Sequence, residues 1–130
     1  MTYAQPVSHE GPSDAVVEMG TAISTEIVSL MKEYLGRGPT RVRTYVYDKV
    51  VVCIARDTMT KAERTLVETR NHHLVRDLRR SLTDSFADDA VAIVERVTGQ
   101  AVMSFMSDHD TDTDTVADVF VLAHGDLPGV

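Results

Sequence analysis

The stretch RVRTYVYDKVVVCIAR, residues 41–56, decides the fold. Its side chains alternate with a period of two: Val42, Thr44 and Val46 point one way while Arg41, Arg43, Tyr45 and Tyr47 point the other. Val50, Val52 and Ile54 then alternate with Val51, Cys53 and Ala55. Asp48-Lys49 supplies a tight connection, although Asp-Lys is weaker turn chemistry than Asp-Gly. A β-hairpin over residues 41–56 is expected. Its second strand is apolar on both faces, which puts it in the interior of a sheet, or between a helix on one side and a partner on the other.

Working outward, Ser13 or Asp14 can cap a preceding helix whose apolar positions are Val16, Met19, Ile23, Ile27, Leu30, Met31, Tyr34 and Leu35. That helix should end near Gly36, and Gly38-Pro39 blocks its continuation. After the hairpin, Thr60 and Glu63 have capping-box spacing, which starts a helix at about 60–71 with Ala62, Leu66 and Val67 as its apolar side. A second helical segment carries Leu74, Val75, Leu78, Leu82 and Phe86. Asp88 can cap a third, with Val91, Val94 and Val97 inward and Gly99 as its stop. Residues 100–107 and 115–123 read as two more strands joined by the polar connector 108–114. The expected fold is α+β: a long N-terminal helix, a hairpin, two to three helices and a second hairpin, giving a four-stranded, mainly antiparallel sheet with helices on one face. A single domain at 13–123 is expected between a disordered tail at 1–12 and a frayed tail at 124–130.

The chain of 130 residues is long enough for one core, and with one cysteine it has no internal disulfide. Cys53 reads as a small buried hydrophobe. The longest apolar run, Val50 to Ala55, is far short of a membrane span, and residues 1–12 carry no charged-then-apolar leader, so a soluble cytoplasmic protein is expected. Charge is unevenly distributed. Of 13 Lys and Arg, 11 fall within residues 37–80 with only 5 acids, so that segment is +6 while the rest is −13, for a net −7. A basic middle between acidic ends suits an electrostatic contact, and an internal or inter-subunit one is favoured because net acidity repels nucleic acid and anionic lipid.

Candidate sites are few. The alternating carboxylates of Asp108-His109-Asp110-Thr111-Asp112-Thr113-Asp114 resemble the start of a calcium loop, but Thr113 stands where the sharp turn needs glycine and Val119 where a bidentate glutamate belongs. A solvated hairpin loop is the expectation, with no metal site and no cofactor. His72-His73 point about 100° apart on a helix and suit a helix junction, while His9 and His124 fall in the expected tails. No phosphate-binding glycine loop, Gly-x-Ser-x-Gly or His-Glu-x-x-His occurs, so no catalytic residue is assigned and a non-enzyme is expected. The remaining candidate is partner binding by Arg41, Arg43, Tyr45 and Tyr47, which set guanidinium groups beside aromatic rings on one strand face, with Arg37 just ahead of them. Nucleic-acid binding by that basic hairpin face is the alternative. Arg76, Arg79 and Arg80 read as an exposed helix face paired with Asp77, Asp84 or Glu68.

Several short motifs, in this order and spacing, are together more specific than any one alone. They are Gly36-Arg37-Gly38-Pro39 before Val42-x-x-Tyr45, Asp48 at the turn, Met59-Thr60-x-x-Glu63, and Val75-x-x-x-Arg79-Arg80. Val94-Glu95-x-x-Thr98-Gly99, Val102-x-Ser104-Phe105-x-Ser107-Asp108 and Val119-Phe120-Val121-Leu122 follow. Over roughly residues 13–123 this pattern resembles the MpsC-like family, small bacterial proteins named for a component of a Na+-translocating, membrane-potential-generating system. The resemblance implies a soluble accessory or regulatory subunit beside membrane proteins of sodium-linked transport or inorganic-carbon supply, with a membrane transporter subunit as a partner. It brings no catalytic residues. A homodimer is expected from the long first helix and the strand that is apolar on both faces.

Overall fold

A computed structural model describes residues 13–123. The tails expected at 1–12 and 124–130, with His9 and His124, lie outside the described residues. Residues 41–56 form the hairpin that their alternation demands, β1 (Arg41–Tyr47) and β2 (Val50–Arg56), paired Arg41 to Arg56 through Tyr47 to Val50. The two-residue turn closes because Asp48 adopts a left-handed conformation, φ 52°, which aspartate tolerates better than most residues. A second hairpin, β3 (Val102–Asp110) and β4 (Thr115–Leu122), joins the first through β2 and β4, giving the antiparallel order β1-β2-β4-β3. β2 is therefore interior.

One face of the sheet carries α1 (Asp14–Leu35) and α3 (His72–Thr98), with the short α2 (Lys61–Glu68) beside α3. Ser13 caps α1 by accepting a hydrogen bond from the Val16 amide at 3.2 Å, and Gly36 ends it with φ 82°. Ile23, Ile27 and Met31 of α1 and Ala90 and Val94 of α3 form a core with Val51, Cys53, Phe120 and Leu122. α1 lies close enough to β1 that a Cβ built on Gly20 would stand 2.7 Å from the Thr44 carbonyl oxygen. Glycine at this position lets the two backbones meet.

The elements differ from the sequence-based expectation in three places. α3 runs unbroken for 27 residues, and Asp88 lies exposed within it instead of capping a new helix. The apolar stripe of Val75, Phe86, Ala90, Ile93 and Val94 continues through that point, so nothing favours a break. β3 extends to Asp110, which shortens the connector to residues 111–114. Within α2 and the start of α3, Leu74 and Leu78 are each 45% exposed while Glu63 and Arg79 are buried, the reverse of what hydropathy alone suggests. No described helix is long and apolar enough to cross a membrane.

Candidate functional site

Alternation along four paired strands fixes what the second face of the sheet presents. Val42, Thr44 and Val46 of β1 and Val51, Cys53 and Ala55 of β2 turn toward the helices, with Val116, Asp118, Phe120 and Leu122 of β4. The opposite face consists of four cross-strand rows. In order from β1 to β3 they are Tyr47, Val50, Val121, Ser104; then Tyr45, Val52, Val119, Met106; then Arg43, Ile54, Ala117, Asp108; then Arg41, Arg56, Thr115, Asp110. No described helix packs on this face. Tyr45 is 54% and Tyr47 81% exposed, and Met106 is exposed at the far edge.

The predicted partner-binding residues are thus brought together in part. Arg41, Arg43, Tyr45 and Tyr47 share the open face, and among the described residues neither arginine is paired with an acid. Arg37 does not join them. Its Nη1 donates to the carbonyls of Asp57 at 2.9 Å and Met59 at 2.8 Å, and its Nη2 lies 3.5 Å from the Asp57 carboxylate. Gly36 and Gly38 bracket Arg37 in a turn that delivers it to the segment after β2, where it ties down carbonyls the strand ladder leaves free.

A second cluster lies beneath the helices, and sequence pattern missed most of it. Asp114 closes the β3–β4 turn in a left-handed conformation and accepts hydrogen bonds from the Met59 amide, Thr58 Oγ1 and His109 Nε2, each at 2.9 Å. Burial raises the Asp114 pKa, but these donors outweigh it and hold the carboxyl below its ordinary range. Glu63 closes the α2 capping box on the Thr60 amide at 2.8 Å and receives Arg79 Nε and Nη2 at 2.6 and 2.9 Å. Arg79 also donates to the Thr58 carbonyl at 3.1 Å. Burial pushes Glu63 up, and the Arg79 guanidinium and Thr60 donors bring it below its ordinary value. Arg79 is therefore a buried clamp, not part of an exposed arginine face. The capping-box spacing found Glu63 but not its partner.

Beside this cluster, α1, α3 and β3 enclose a cavity of about 240 Å3 with Tyr34, Phe86 and Phe105 on its walls and Arg76, Arg80 and His109 among its polar groups. His109 Nδ1 is buried without a hydrogen-bond partner among the described residues. The Asp114–His109 pair has no serine or cysteine within hydrogen-bond reach of that nitrogen among the described residues. The connector expected to be a solvated hairpin loop is partly an internal tether, with Thr111 and Asp114 buried. Asp110 accepts the amides of Asp112 and Thr113 at 2.9 and 3.3 Å. His72 begins α3 and approaches Asp112 at 3.5 Å. Burial pushes the Cys53 thiol up to about 12, which keeps it protonated.

Comparison with known proteins agrees with the motif pattern. A family model described as "Na+-translocating membrane potential-generating system (MpsC)" matches residues 16–124. The chain is 28% identical over 103 residues to uncharacterized protein YbcI of Bacillus subtilis (strain 168), covering 78% of this chain and 83% of that protein. No solved structure matches. With the match spanning every described helix and strand except the first two residues of α1, the chain belongs to the MpsC family.

Proposed function

We propose that the chain is a non-enzymatic, cytoplasmic accessory or regulatory module of a Na+-linked, membrane-potential-generating system, and that it acts by docking through the open face of its sheet. The observation that carries this reading is the face itself: an apolar centre with exposed tyrosines and with arginines that pair with no acid among the described residues, left bare by the helices that cover the other side. Family membership supports the association with a membrane system. The buried cluster supports a structural role for its ionisable groups, since Glu63, Arg79 and Asp114 are each held by neighbours within the fold. The carboxylates on the far edge of the same face, together with a net charge of −7, weigh against a polyanion such as RNA or DNA as occupant.

The test is cosedimentation with membrane vesicles that carry the cognate Na+-translocating complex. Wild-type chain should associate, and Arg43→Glu should abolish association while the far-ultraviolet circular dichroism stays unchanged. No association of the wild type, or association indifferent to Arg43→Glu, would overturn the proposal. Filter binding to single-stranded nucleic acid at low salt should give no retention, and salt-sensitive retention would favour the nucleic-acid alternative.

A further inference from the structure

We infer that two copies of this chain pack open face to open face about a two-fold axis that runs parallel to the strands, setting β1 of each copy over β3 of the other. The inference rests on the reading of this face as a docking surface and names its occupant, a second copy. The unit that meets a membrane partner is then the dimer, and Arg43→Glu acts on that association by separating the halves.

The order of residues in each row favours this axis. Arg43 and Asp108 end the third row, and Arg41 and Asp110 end the fourth. Within one copy the two edges are three strand spacings apart, about 14 Å, too far for an ion pair. Neither arginine finds an acid elsewhere among the described residues. A two-fold axis along the strands reverses each row left to right and keeps its height along the strands. Arg43 then stands over Asp108 of the second copy and Arg41 over Asp110, and symmetry makes each pair twice. The same operation sets Tyr45 over Met106, Val52 over Val119 and Val50 over Val121, so the centre of the interface is apolar and the ion pairs lie at its rim. Sheets stacked in this way adopt the aligned geometry, about 10 Å apart and about 30° from parallel.

The alternative axis, across the strands, fits worse. It lays β1 over β1 and β3 over β3 with the rows inverted. Arg56 would then cover Val50, and Asp108 and Asp110 would face Met106 and Ser104 with no cation opposite. Burying those carboxylates unpaired would cost more than the tyrosine contacts of Arg41 and Arg43 return.

Sedimentation velocity of the full chain at tens of micromolar is the test, with a dimer of the 14.3 kDa chain expected. Val119→Glu should give a monomer. Arg43→Asp sets two carboxylates opposite each other and Asp108→Arg sets two guanidinium groups opposite each other, so each should raise the dimer Kd by about tenfold or more. The double variant Arg43→Asp/Asp108→Arg should return the Kd to within a few-fold of wild type. These two positions are exposed at opposite edges of the sheet, so the charge variants remain informative should Val119→Glu fail to fold. A monomeric wild type overturns the dimer. A dimer indifferent to the single charge variants, or one that the double variant does not rescue, overturns the axis. A monomer whose vesicle association still depends on Arg43 leaves the docking proposal standing without the dimer. A charge-registered dimer that ignores vesicles does the reverse.

Discussion

Asp118 sits on the helix-facing side of β4 between Val116 and Phe120, 1% exposed, opposite Ser107 on one side and Cys53 on the other. Its Oδ1 has no hydrogen-bond partner among the described residues. Burial pushes its pKa up to about 6, outweighing the opposing effect of the Ser107 hydroxyl. A carboxyl whose folded pKa lies above its unfolded value binds its proton more tightly in the native state. Stability from this group is therefore full below about pH 4, falls as pH rises to about 6, and is flat beyond, a loss on the order of 3 kcal/mol at neutral pH. Glu63 and Asp114 act in the opposite sense: their lowered values give stability that is present above the unfolded pKa and lost as pH falls through the folded one. Asp118→Asn should thus raise the urea midpoint at pH 7 and leave it nearly unchanged at pH 4. Urea titrations across that range measure the difference, and parallel profiles for the two proteins would defeat the assignment. A carboxylate at an inward position breaks the apolar alternation of Val116, Phe120 and Leu122, so the irregularity was legible in the sequence. Its protonation depends on how much of the helix layer lies above it, which spacing does not encode.

At the scale of elements, both hairpins and α1 could be read because period and caps are local properties. α2 and the first turns of α3 could not. The helical wheel puts Arg76, Arg79 and Arg80 on an exposed face, yet α2 folds back so that Glu63, its one buried residue, reaches Arg79 across 16 residues of sequence. Charge patterning predicts pairs three or four positions apart on one helix and carries no information about a pair made by chain reversal. The Glu63–Arg79 pair holds α2 to α3, and Arg79 extends the tie to the carbonyl of Thr58, whose hydroxyl donates to Asp114. Glu63→Leu leaves a buried guanidinium without its counter-charge and should destabilise the fold by about 3–5 kcal/mol. Arg79→Met should cost a similar amount by stranding the carboxylate. The double variant Glu63→Leu/Arg79→Met should recover most of the loss, because no charge then remains buried. Guanidinium unfolding of the four proteins closes the cycle, and additive losses would mean that the two side chains act independently.

For the whole molecule, segregation of charge along the chain is visible in sequence, but its sorting in space follows from strand order. The basic 37–80 segment contributes β1 and β2, and the acidic C-terminal part contributes β3 and β4. Because β2 pairs with β4, the two hairpins join at their apolar strands and the charged strands β1 and β3 become opposite edges. Pairing through β1 and β3 would have put arginine beside aspartate within one copy and left no charged rim to match. That choice is tertiary, which is why the basic edge could be read from the sequence and its acidic counterpart could not. The consequence is a specific salt response. Rim ion pairs are screened once the Debye length shrinks to a few ångströms, whereas contacts among Val50, Val52, Val119 and Val121 are not weakened by sodium chloride. The dimer Kd should therefore rise only several-fold between about 0.05 and 0.5 M sodium chloride, far less than a polyelectrolyte contact would. Since unfolding would then be coupled to dissociation, the thermal midpoint should climb with protein concentration at either salt. Sedimentation velocity and scanning calorimetry over a hundredfold concentration range measure both. A Kd that falls as salt is added would show an apolar contact without paired rims, and a midpoint independent of concentration would remove the second copy from the folded state.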